Sequence, residues 1–424
     1  MRIRIEKLVH QGMGIGRIDG HVWLVPLSAP GDLVEASPVR QRPGLVEARL
    51  DAILEPGPDR VEPVCPVYGR CGGCHLQHIA CDRQPALKVD VLRDVMRRIA
   101  KIDLPQPIIV TGRPWSYRCR VELHGIPKNG GTRIGFFARH SRDMVEIDRC
   151  PIADDALNAV VPALREAASR MRATSPFTIE PVAGEDGQLG IVARGGIGDP
   201  VFAARILADM PGIRGAAATN PSRGHRWAVE GNPEVSFPTD GGNGGLTTLV
   251  LDPRGFTQAN RRLNPALAAT IREFALAGPG IKVLELFAGA GNLTIPMALA
   301  GADVTAVELN REALLRAGEE LKARGLNAIL KTARVEELSA DPDLASLVPD
   351  VVVADPPRTG LGPVAAHALA RMPLSHVVIC SCEPSTLARD LTVLMDSGFR
   401  LDRIALVDMF PQTFHIETVV SLVR

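Results

Sequence analysis

Residues 281 to 424 alternate short apolar runs with helical stretches, and that alternation leaves few folds open. The runs KVLEL, DVTAVEL, DVVVADPP and HVVICSC are rich in valine and carry little polar alternation. Strands of that kind must be covered on both faces. Helices between them supply the cover, which predicts a mostly parallel, doubly wound α/β sheet. ETVVSLVR closes the chain as a further strand. Ligands of such sheets bind beyond the carboxyl ends of the strands. Phe287, Glu308, Asp355 and Cys382 all fall at such ends.

In KVLELFAGAGNLTIP the first strand runs into Gly289-Ala290-Gly291 and then a helix. Small residues there let a ligand approach the backbone. Glu308, about twenty residues on, can accept hydrogen bonds from both hydroxyls of a ribose. The pair fits an adenosine-type cofactor: NAD, FAD or S-adenosylmethionine. The turn is not a full G-x-G-x-x-G and no pyrophosphate-binding feature accompanies it, so S-adenosylmethionine fits better. The alternative is a packing turn with Glu308 as a surface acid.

The first 57 residues read as short strands broken by Gly12, Gly14, Gly16 and Gly20, the pattern of a small β-barrel. Pro56, Pro58 and Pro63 read as a linker. Leu87, Val91, Val95 and Ile99 then recur at helical spacing. From 115 to 248 the pattern is mixed and glycine-rich. Three domains follow: 1–57, a barrel; 58–248, a mixed α+β unit; 249–424, the doubly wound unit.

Net charge is zero, yet residues 83 to 142 hold thirteen Lys/Arg against four Asp/Glu. That block suits phosphate binding, or is an ordinary solvated surface. No apolar run approaches ~20 residues, and the N-terminus lacks a signal-peptide core. A cytoplasmic monomer is expected. Disulfides are rare there, so eight cysteines need another reason. Cys65, Cys71 and Cys74 sit in CPVYGRCGGCHLQH, where Gly72 and Gly73 permit a tight turn around a metal. The fourth ligand could be Cys81, Cys119, Cys150, His75 or His78. Spacing alone leaves zinc and an iron–sulfur cluster both open.

Together these segments resemble the bacterial RNA uridine-C5 methyltransferases, in the branch acting on 23S ribosomal RNA. The resemblance spans nearly the whole chain. QGMGIGRIDG and VPLSAPGDLVEA resemble the RNA-binding TRAM barrel, and CPVYGRCGGCHLQH and IGFFARHSRDMVEIDRCPI the iron–sulfur segments. FTQAN, LELFAGAGNLT, ADPPRTG, SCEPSTLARD and DMFPQTFHIETV follow in family order. The resemblance implies a [4Fe-4S] cluster on Cys65, Cys71, Cys74 and Cys150. It implies S-adenosylmethionine contacts from Gln258, Phe287, Asn292, Glu308 and Asp355. It makes Cys382 the nucleophile and Glu417 the general base. His75 replaces a common Gln, Arg334 stands where an Asp or Asn contacts the adenine side, and Cys119 has no counterpart.

Carbon 5 of uracil is a poor nucleophile until a thiolate adds at carbon 6. Of the two cysteines in VVICSC, Cys380 lies within the apolar run and reads as core. Cys382 lies beyond it, just before a helix that Ser385 could cap. Proximity to that helix N-terminus would favour its thiolate, provided Glu383 points away. Arg358 and Arg389 are candidate helpers for phosphate or cofactor, and His415 reads as structural. Tyr117, Phe136 and Phe137 interleave with arginines and could stack on RNA bases or serve as core. Rival readings are a tRNA uridine-C5 enzyme, an RNA cytosine-C5 enzyme and a non-catalytic RNA-binding assembly factor.

Overall fold

The computed structural model describes residues 1–128, 131–224, 226–338 and 340–424. The N-terminal strands form a six-stranded barrel-like sheet. Residues 2–9 act as one bent strand. Arg2–Arg4 pairs with Leu33–Arg42, and Lys7–Val9 pairs with Met13–Ile18, which closes the sheet on itself. Gly16 is required at the bend, since a Cβ there would lie 2.4 Å from Ile3 and 2.6 Å from the Arg4 carbonyl. Ile3, Ile5, Trp23, Val25, Val34 and Val46 fill the interior. Buried Asp32 accepts from the Ala29 and Gly57 amides and from Arg60, locking the barrel to the chain that leaves it.

The C-terminal sheet has eight strands. In spatial order they are Ile329–Thr332, Asp303–Glu308, Lys282–Leu286, Val351–Ala354, His376–Ser381, Glu417–Val423, Arg400–Val407 and Ile108–Val110. The first five are parallel, and Glu417–Val423 runs antiparallel to both of its neighbours. Alternate residues enter two different cores, as a period of two demands. Leu284, Val352, Val377 and Ile379 face the helices Gln84–Ile99, Gly362–Arg371 and Pro384–Asp396. Val283, Val353, Val378 and Cys380 face Asn264–Phe274 and Thr294–Leu299. The doubly wound expectation is met, with an antiparallel strand inserted near one edge.

The expected 58–248 unit is divided in space. Gln84–Ile99 packs on the C-terminal sheet and Ile108–Val110 extends it, pairing parallel with Arg400–Val407. The cause is a buried polar anchor that the helical periodicity hid. Lys88 donates to Asp408 at 2.6 Å and to the Phe410 carbonyl at 3.0 Å. Ile99, expected on the apolar stripe, is exposed, and Leu92, Val95 and Met96 form the buried face. The rest of the unit carries a seven-stranded sheet, from Met144–Val145 at one edge to Ala228–Gly231 at the other, and a separate hairpin of Val235–Asp240 with Leu246–Leu251. Val161–Arg170 and Pro200–Ala208 pack on it.

Candidate active site

A cleft of about 1000 Å³ opens at the carboxyl edge of the C-terminal sheet. All seven residues expected for catalysis and cofactor contact line it: Gln258, Phe287, Asn292, Glu308, Asp355, Cys382 and Glu417. Topology brings the last two together. Glu417 begins an antiparallel strand, so its first residue arrives at the edge where the parallel strands end. Ser381 faces Thr418 in the register, which puts Cys382 opposite Glu417.

Phe287 turns the chain with φ +62°, a left-handed conformation costly for a bulky side chain. Gly289 follows at φ +57°, and a Cβ there would meet nothing within 4 Å, so the turn faces open cleft. Glu308 accepts from the Gly289 amide at 3.0 Å and from the Asn310 amide at 2.7 Å. Each oxygen retains a lone pair for a ligand hydroxyl. The Asn292 and Asn264 amides exchange two hydrogen bonds, at 2.8 and 2.9 Å, so the Asn292 side chain is largely spent on fixing the turn. The Cys119 amide donates to the Ala259 carbonyl at 2.7 Å and its thiol to the Gln258 carbonyl at 3.3 Å. Cys119 is thus fully buried, and it pins the Gln258 segment.

Cys382 is half-buried and Glu417 buried. Burial and the Glu417 charge push the Cys382 thiol up to about 12, while Arg358 pulls it down. The expectation that the helix N-terminus lowers it is not met. Desolvation and two carboxylates outweigh the helix. Glu417 is pushed up to about 8 by burial and by Asp355, itself raised to about 6 by burial. Cys380 is not simply core: its thiol donates to Glu417 Oε1 at 3.2 Å. Glu383, not Ser385, caps the helix Pro384–Asp396, accepting from the Ser385 amide at 3.3 Å. It also meets His10 of the barrel at 3.4 Å. Arg389 is held by Asp390 and the Thr359 carbonyl, bracing the loop after Asp355. His415 lines the cleft, kept neutral by burial that takes it down to about 3.

Residues 251–424 match the family described as tRNA (Uracil-5-)-methyltransferase, and residues 1–58 the TRAM domain of tRNA (uracil(54)-C(5))-methyltransferase. The 23S rRNA (uracil(1939)-C(5))-methyltransferase of Halomonas elongata is 34% identical, over 99% of this chain and 88% of the relative. Its counterpart in Alkalilimnicola ehrlichii is 32% identical, over 100% and 96%. The chain belongs to the RNA uracil-C5 methyltransferase family. Among solved structures, the Pyrococcus abyssi tRNA (uracil-54, C5)-methyltransferase in complex with S-adenosyl-L-homocysteine superposes with a TM-score of 0.73. The identity is 25%, with 100% of both chains covered.

The four cysteines lie outside both family matches, in the 59–250 interval. Cys65, Cys71, Cys74 and Cys150 are all half-buried and share one neighbourhood. Burial raises the Cys74 thiol to about 12, and the charges of Cys150, Cys71 and Cys65 add to the rise. N–H groups are aimed at the sulfurs: Gly73 at Cys71, at 3.4 Å, and the Ile152 and Ala153 amides at Cys150. Such donors suit thiolates, whose mutual repulsion a cation would relieve. No three of the four sulfurs lie within 4.8 Å of one another among the described residues. A single tetrahedral zinc needs sulfurs roughly 3.8 Å apart.

The basic block is partly consumed. Arg83, Lys88, Arg93, Arg97, Arg120 and Arg133 form ion pairs, and Arg120 also holds the Gly255 carbonyl. Arg113, Lys128 and Arg142 are exposed. Tyr117 is core, donating to the Pro411 carbonyl at 2.9 Å, and Phe136 packs against the core. Phe137 stacks on His124 at 3.7 Å. Among the described residues no helix is long and apolar enough to cross a membrane.

Two buried features escaped sequence reading. Glu285 lies beneath the cleft, raised to about 8 by burial, and accepts from Thr294 at 2.6 Å. Gln84 embraces Gln412, accepting from its amide at 2.8 Å and donating to its side chain at 3.0 Å. An uncharged glutamine far along the chain gives no sequence signal for such a partner.

Proposed function

We propose that this chain methylates C5 of a uridine in 23S ribosomal RNA, with S-adenosylmethionine as donor, Cys382 as nucleophile and Glu417 as base. One observation carries the reading: a thiol and a buried carboxylate face each other across two strands, in the cleft that the Gly289 turn and Glu308 share. The relatives at 34% and 32% identity bear names specifying uracil 1939 of 23S rRNA, whereas the archaeal structure at 25% is a tRNA enzyme. The higher full-length identity favours ribosomal RNA, and with it a cytoplasmic enzyme.

S-adenosylmethionine, when bound, supplies an electrophilic methyl group on a positively charged sulfonium. Glu308 would hold its ribose hydroxyls and Phe287 would shape its pocket. Cys382 Sγ adds to C6 of the uracil, and the C5–C6 π pair moves to the C4 oxygen. The enolate pair returns through C5 to take the methyl group, and the methyl–sulfur bond breaks with its pair left on the donor's sulfur, which becomes a neutral thioether. Glu417 accepts the C5 proton, the freed pair re-forms C5=C6, and Cys382 leaves as thiolate. Arg358 favours the thiolate at both ends of that cycle. The base must leave its stack to enter the cleft.

Cys65, Cys71, Cys74 and Cys150 would hold a [4Fe-4S] cluster. The N–H groups aimed at the sulfurs support that assignment. Such a cluster would supply the positive charge that four adjacent thiolates require, and would tie residues 65–74 to the strand region near 150.

The test is a denaturing gel after incubating anaerobically purified protein with S-adenosylmethionine and 5-fluorouridine-containing 23S rRNA. Fluorine at C5 blocks the proton removal assigned to Glu417, so a covalent adduct should accumulate and vanish in Cys382→Ala. An adduct on tRNA alone would move the substrate to the second reading. No adduct on either RNA, with the donor bound, would overturn the proposal.

A further inference from the structure

Cys380 is a buried thiol behind the cleft wall, in contact with Glu417, that the proposed chemistry leaves unused. Strand alternation puts Cys380 and Cys382 on the same face of His376–Ser381 and its extension. Cys380 faces Val419 across the antiparallel pair, and Glu417 is the diagonal neighbour on that face. On the other side Ala354 pairs with Ile379, so Asp355 falls beside Cys380. The ligand atoms of Asp355, Cys380 and Glu417 all lie within 4.8 Å of one another. Cys380 is only 1% exposed, so RNA cannot reach its sulfur.

We propose that Cys380 is a positioning residue: its thiol, wedged between the two carboxylates, donates the hydrogen bond that aims the Glu417 carboxylate into the cleft. This rests on the reading of Glu417 as the base. Burial and both carboxylates hold the Cys380 thiol well above its ordinary range, so it remains an S–H donor and does not compete with Cys382 as a nucleophile. The same hydrogen bond lowers Glu417 against the burial that raises it. The groups facing Glu417 are Cys380 and Cys382 from one strand, and Asp355 and Arg358 from the loop after another. His415 precedes it on its own segment, and Asp408 follows its partner Val407 but is engaged by Lys88. Among these, Cys380 is the only neutral donor that contacts the Glu417 oxygen.

The consequence falls on one half-reaction. Adduct formation uses Cys382 and the methyl donor, whereas resolution requires Glu417 to take the C5 proton. Loss of the Cys380 donor should slow resolution without slowing formation, because a less ionised Glu417 opposes the Cys382 thiolate less.

The experiment compares wild type, Cys380→Ala and Cys380→Ser. Each is given 5-fluorouridine RNA to measure adduct formation, then ordinary uridine RNA to measure resolution across pH. Cys380→Ala should form the fluorouridine adduct at least as fast as wild type. On ordinary uridine it should accumulate the adduct and resolve it about tenfold more slowly, the scale of one hydrogen bond to a charged group. Resolution needs the ionised base, so its rate rises with pH through the Glu417 pKa. Without the donor that pKa rises, and the rising limb should move to higher pH. Cys380→Ser keeps an O–H donor and should restore both rate and profile. If Cys380→Ala fails to form the fluorouridine adduct, Cys380→Val, closer to cysteine in bulk and also without a donor, takes its place.

An unchanged pH profile and resolution rate in the donorless variant would overturn the proposal. So would a slowed variant that serine does not rescue, which would make Cys380 a packing residue. Failure of wild type to form any Cys382 adduct would instead remove the catalytic reading beneath it.

Discussion

Cys382 and Arg358 set the first chemical demand on the cleft. The thiol stands at about 12, raised by burial and by Glu417, with Arg358 as the opposing charge. Only a small thiolate fraction exists at neutral pH, and it grows tenfold per pH unit below that value. Adduct formation on 5-fluorouridine RNA should therefore rise with pH between 7 and 9. Arg358→Gln removes a charge that favours the anion, so it should slow formation at pH 7.5 by about tenfold, the effect of roughly one pKa unit. Raising the pH should recover part of the loss. Single-turnover gels across pH check this. A variant as fast as wild type throughout would mean that Arg358 does not act on the thiol.

At the scale of elements, what the sequence reveals follows from how local each constraint is. The parallel strands and the Gly289 turn are written in contiguous residues, so the sheet and the turn that lines the cleft were legible. The position of ETVVSLVR in the sheet was not. Nothing local says that it inserts between His376–Ser381 and Arg400–Val407, yet that insertion brings Glu417 to Cys382 and to Cys380. Cys380 read as core because burial and hydrogen bonding are the same at the level of hydropathy. The helix Gln84–Ile99 shows the same limit, since its anchor is a lysine paired 320 positions away. That pair yields a test. Lys88→Met leaves Asp408 buried without its cation and should cost about 3–5 kcal/mol of stability. Lys88→Met with Asp408→Asn should recover much of it. Urea unfolding of the three proteins measures both. Equal losses in the single and double variants would show that the charges are not coupled.

Over the whole molecule, the cysteine-rich segment and the catalytic edge form one connected structure. The His75 and Leu76 amides both donate to the Gln412 carbonyl, at 2.8 and 2.9 Å. Gln84 holds the other side of Gln412, whose backbone sits at φ +68°. Tyr117 holds Pro411 and Lys88 holds Phe410, while Phe414 packs edge-on against His75 at 4.6 Å. The segment 409–416 is thus shaped from outside, and it delivers Glu417 to the cleft. A left-handed glutamine persists only while its surroundings enforce it. If the proposed cluster fixes Cys65, Cys71 and Cys74, its removal frees the chain that carries His75 and Leu76. Chelation under oxidising conditions should therefore raise backbone hydrogen exchange in 65–81 and, with it, in 409–416. Exchange in the strand Lys282–Leu286, which makes no contact with this segment in the sheet, should stay constant. Affinity for S-adenosylmethionine should change little, because Glu308 and the Gly289 turn sit on that constant side. Faster exchange confined to 65–81 would mean that the catalytic loop keeps its shape without the cluster. Faster exchange in Lys282–Leu286 as well would mean global loosening, not a local clasp.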